Sequence, residues 1–127
     1  MEYREALQVV ASAVQQIVGF GFYPVTSLVG LNPQSGCEAV QRRHQLIAAA
    51  IPTASIGEIS AMGEEIELCR LFYAIYAFAG ETGSDIPITT KDTAIIRIIV
   101  DSRLHGYAFE RETISQIAHR IHPALPF

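Results

Sequence analysis

The chain has 127 residues and a mass of 13.9 kDa, a length that fits one domain spanning residues 1–127. Apolar residues make up 50% of it and charged residues only 17%, which excludes a disordered, heavily solvated chain and leaves more apolar surface than a lone small globule hides comfortably. The net charge of −4 disfavours a general nucleic-acid binder, which needs a basic surface to displace counterions from phosphate.

The first helix is predicted over Tyr3–Val18, where Leu7, Val10, Val14, Ile17 and Val18 recur at three- and four-residue spacing and Gly19 and Gly21 supply the stop. An apolar, aromatic loop follows. Phe20, Phe22, Tyr23 and Val25, flanked by glycines and Pro24, either close over the core or form a contact patch, and they are the interface candidates of the sequence.

A second helix is expected from Ser35 to Ile51. Ser35 and Glu38 match a capping box at its start, and Pro52 stops it. Cys37, Val40, His44, Ile47 and Ile51 share one face. Ser55 and Glu58 form a second capping box, or open a short helix that Gly63 bends. From Glu64 to Ala79 the chain is apolar on almost every side, the pattern of a central helix, with Gly80 expected to cap it.

Glu81–Thr89 is a predicted loop. The fourth helix spans Thr90–His105, with Gly106 after it; the run Ile95–Val100 is β-branched enough to suit a strand, but length and the glycine favour helix. Arg97 and Asp101, four apart, could pair along it. The fifth covers Glu110–Ile121, with Ile114, Ile117, Ala118 and Ile121 facing inward and Pro123 ending it. These segments predict an all-α, single-domain bundle of four to five helices around a central apolar helix.

Met1–Glu5 has neither the cationic start nor the apolar block of a signal peptide, and the uncharged stretch from Ala11 to Cys37 is broken by glycine and proline. A membrane span is not expected, and Cys37 and Cys69 are taken as reduced cytoplasmic thiols.

Cys37 is the candidate for chemistry. Placed just after a Ser35 cap, it would sit where free amides and the helix dipole lower a thiol pKa. The bland alternative is a small apolar residue opening a core stripe. His44 lies seven residues on, too far along a helix for a direct pair, so a base would come from His105, His119 or His122. His119 and His122 could share a metal, but the pattern lacks the further ligands such sites use. Glu64, Glu65 and Glu67 complement a helix start without the Glu-x-x-His spacing of di-metal bundles. Arg42-Arg43-His44 is too short for a phosphate-binding face. No cofactor motif occurs, and no cofactor or metal is expected.

Residues 53–90 hold six acids against Arg70 alone, a balance of −5, which would steer the protein towards a partner with a basic surface. The leading expectation is a cytoplasmic protein that acts by protein–protein contact, as a homo-oligomer, an accessory subunit, or an inhibitor or immunity-type binder, without catalysis of its own. Thiol chemistry at Cys37 is one alternative. A small DNA-binding regulator using the C-terminal helix pair is another, weakened by a balance of only +1 from Lys91 onward.

Overall fold

The computed structural model of the protein describes residues 1–14, 30–83, 85–104 and 114–127. Five α-helices lie in them: α1 (Tyr3–Val14), α2 (Pro33–Ala50), α3 (Ile56–Thr82), α4 (Thr90–Leu104) and α5 (Ile114–Ile121), with a 3-10 turn at Ile51–Thr53. Among the described residues there is no strand beyond one isolated bridge between Glu2 and Asp85. The fold is all-α, and the β-branched run that could have been a strand lies within α4.

The longest helix, α3, packs against α1, α2 and α5, while α4 touches α1 and α5. Its Leu68, Leu71, Phe72, Ala74, Ile75 and Tyr76 are fully buried. They meet Leu7 and Val10 of α1, Val40 and Ile47 of α2, Ile96 of α4, and Ile114, Ile117, Ala118 and Ile121 of α5 in one core. The inward stripe predicted for the last helix is buried at every position.

Helix starts follow local side-chain chemistry, and that of α2 differs from expectation. The cap of α2 is Asn32, whose carbonyl oxygen accepts from the Ser35 amide at 2.9 Å, with Pro33 at the first helical position. Proline suits that position because its missing N–H would have had no helical partner. Ser35 is therefore inside the helix, and the Ser35–Glu38 box does not form its start. At α3 the Ser55 cap is present: its hydroxyl accepts from the Glu58 amide at 3.3 Å and donates to the Glu58 carboxylate at 3.0 Å.

From there α3 runs unbroken through Gly63, and it passes Gly80 to end at Gly83. Gly83 has φ +110°, a conformation that costs glycine little, and its amide closes the last turn on the Ala79 carbonyl at 3.2 Å. Gly80 serves approach instead of capping, since a Cβ there would lie 3.3 Å from the Pro33 Cβ. At α4, Thr89 and Asp92 exchange bonds: the Thr89 amide donates to the Asp92 carboxylate at 2.8 Å and the Asp92 amide to the Thr89 hydroxyl at 3.0 Å.

Polar links fasten the helices together. Arg43 of α2 pairs with Glu65 of α3 at 2.9 Å, and Arg120 of α5 pairs with Asp92 of α4. Arg70 of α3 donates to the Ser115 hydroxyl of α5 at 3.2 Å and to the Phe127 carbonyl at 3.0 Å. Among the described residues no helix is long and apolar enough to cross a membrane.

Candidate functional site

The first two turns of α2 and the C-terminal half of α3 enclose an open cleft of about 300 Å³ that holds Cys37, Glu38, Tyr73, Tyr76 and Glu81 among its walls. Gly36 creates this approach. It is buried on α2 with the Tyr76 ring lying where a Cβ would be, 2.3 Å from the ring carbons. That contact brings the helices together at the position just before Cys37.

Cys37 is half-buried and is the fifth residue of α2, past the turn that carries free amides. Burial pushes its thiol up to about 11, with Glu81 and Glu38 adding in the same direction and the Tyr73 hydroxyl, bonded to the sulfur, opposing them. That direction, set by burial, is opposite to the lowered pKa of the thiol-chemistry alternative, and the Asn32 cap places the free amides of the helix start a turn before the sulfur. Cys69 is free and buried in the core, its thiol pushed up to about 12 by burial first and then Glu65. Thiols protonated at neutral pH are poor nucleophiles and poor metal ligands.

The expected bases do not converge on Cys37. The His44 ring stacks on Phe127, centroids 4.0 Å apart and planes at 17°, and burial and then Arg70 lower its pKa. Exposed His119 has its Nδ1 2.8 Å from the Ser115 carbonyl on its own helix. His122 is buried just past the end of α5, where its Nε2 meets the Glu81 carboxylate at 3.0 Å, and its Nδ1 is buried without a partner. His105 lies outside the described residues. Glu65 is engaged with Arg43. Among the described residues no group of three or more His, Cys, Asp or Glu side chains is placed to hold a metal ion.

A second feature stands at the connection between α2 and α3. Residues 45–57 contain no Asp, Glu, Lys, Arg or His, yet most of them face solvent. Ile56 is 90% exposed, Leu46 65% and Ile51 37%, where branched aliphatic side chains of a small domain are usually hidden. Arg42, Gln45, Leu46 and Ala49 are all exposed and fall at i, i+3, i+4 and i+7, which makes one continuous stripe down α2 into the corner. Ile51, expected on the inward face, keeps helical backbone angles (φ −55°, ψ −45°) where α2 passes into the 3-10 turn, and is nonetheless exposed.

The interface candidates Phe20, Phe22, Tyr23 and Val25 lie outside the described residues. The sequence reading missed the corner, although its signal, thirteen consecutive uncharged residues beside two arginines, is visible in the sequence. It also missed Tyr73 and Glu81 as cleft residues, and His122, read as a possible base or metal ligand, meets the Glu81 carboxylate instead. Comparison with protein-family models, curated proteins and solved structures gave no match to the chain.

Proposed function

We propose that the protein acts by contact with other protein surfaces, as an accessory or blocking subunit in the cytoplasm, and not through chemistry of its own. The exposed, uncharged corner of Leu46, Ile51 and Ile56 carries this reading. Aliphatic side chains exposed at a helix–helix turn are unfavourable in water and gain free energy against a complementary surface. The Cys37 thiol, which burial pushes up and whose candidate bases His44 and His122 are engaged with Phe127 and Glu81, fits the same reading. Two free cysteines fit a reducing compartment.

The test compares complexes recovered from the native host through tagged wild-type protein and through tagged Ile56→Glu, each weighed intact. Because Ile56 is 90% exposed, the variant should keep the wild-type melting temperature. Complexes present with the wild type and lost with the variant are the expected result. The same complexes from both, or none from either, would overturn the reading.

A further inference from the structure

Resting on the contact function above, we propose that the α2–α3 corner docks a second copy of this chain, the two corners meeting across a two-fold axis. The corner carries no charge over residues 45–57 and exposes Leu46, Ile51 and Ile56, so two copies of net charge −4 can join there without bringing like charges together. A strongly charged partner would find nothing in the corner itself to pair with.

The flanks select a copy of the chain over an arbitrary apolar surface. Arg42 is exposed on the α2 side, in line with Leu46. Glu58 is exposed on the α3 side, in the first turn beyond Ile56. Neither is in an ion pair among the described residues; Arg43 next to Arg42 is already committed to Glu65. A patch with a cation on one flank and an anion on the other is self-complementary, because a two-fold rotation lays each flank on the opposite flank of the partner. The apolar centre then supplies the attraction and the two Arg42–Glu58 pairs set the orientation.

The experiment is sedimentation velocity on the purified full chain over roughly 5 to 500 µM, a range that lies between the affinities of about 1 µM and about 1 mM that mark weak association. Wild-type protein should shift from monomer to dimer across that range, and Ile56→Glu should remain a monomer with an unchanged melting temperature. Arg42→Glu and Glu58→Arg should each weaken the dimer about tenfold when alone. Mixed in equal amounts they should recover it, because each pair across the axis is then again of opposite sign. A dimer indifferent to Ile56→Glu, or charge variants that do not recover on mixing, would overturn the proposed surface. A wild type that stays monomeric throughout would overturn the second copy as occupant. The contact function is judged separately: it survives that result if host complexes still depend on Ile56, and falls if they do not.

Discussion

At Gly36 a single hydrogen atom decides how closely α2 lies on α3. Alanine there would place a methyl group 2.3 Å from the Tyr76 ring, and Tyr76 is fully buried, so the helix must move away or the ring must leave its position. Gly36→Ala should therefore cost about 1–3 kcal/mol in urea unfolding, despite alanine's better helix propensity. In a Tyr76→Leu background the penalty should shrink, since the two positions share one contact; an unchanged penalty would place its origin elsewhere. One residue along, the thiol pushed up to about 11 gives a kinetic signature. Alkylation of Cys37 at pH 7 should be slower than that of a free thiol and should still be rising with pH above 9; a rate that levels off below pH 8 would contradict the protonated state. Neither feature could be read from the sequence alone. The Cys37 reading depended on the helix starting at Ser35, and the side chain that would sit on Gly36 is visible only once Tyr76 has a place.

At the scale of the element, periodicity was informative wherever one face alone is buried. Ile114, Ile117, Ala118 and Ile121 of α5 are buried as their spacing demands, and the Ser55 and Thr89 starts follow from side chains that can satisfy free amides. The start of α2 was less legible because two sets of signals overlap: Asn32-Pro33 and Ser35–Glu38 both fit a helix beginning. The pair that supplies a cap and a preset φ together prevailed. Asn32→Ala should accordingly lower stability by about 1 kcal/mol, and Ser35→Ala should stay within about 0.5 kcal/mol of the wild type. Chemical denaturation of the two variants separates the cases, and the reverse ranking would restore Ser35 as the cap.

For the whole molecule, charge read along the chain differs from charge read on the fold. Of the six acids between residues 53 and 90, Glu65 is paired with Arg43, Glu81 with His122 and Asp85 with the Met1 amino group, all partners from outside that segment. The negative charge concentrated along this segment is thus partly offset by the cations that folding brings to Glu65 and Asp85. Folding also sets how stability responds to alkali. Burial raises the Cys37 thiol to about 11 and the Cys69 thiol to about 12, and it raises the Tyr73 and Tyr76 phenols too. In the unfolded chain the thiols ionise near 9.0 and the phenols near 10.0. Below pH 9 both states hold these protons and stability does not depend on them. Above it the unfolded chain loses protons that the folded chain keeps, so the stability present below pH 9 is lost as pH rises towards 11. Urea unfolding midpoints should therefore fall between about pH 8 and pH 10.5. Cys69→Ala should be less stable at pH 8, from the small cavity it leaves, but should show a shallower fall, because it removes the most deeply buried of the two thiols from the balance. Equal midpoints for the wild type at both pH values, or an equally steep fall in the variant, would show that these buried groups ionise as readily in the folded protein as in the open chain.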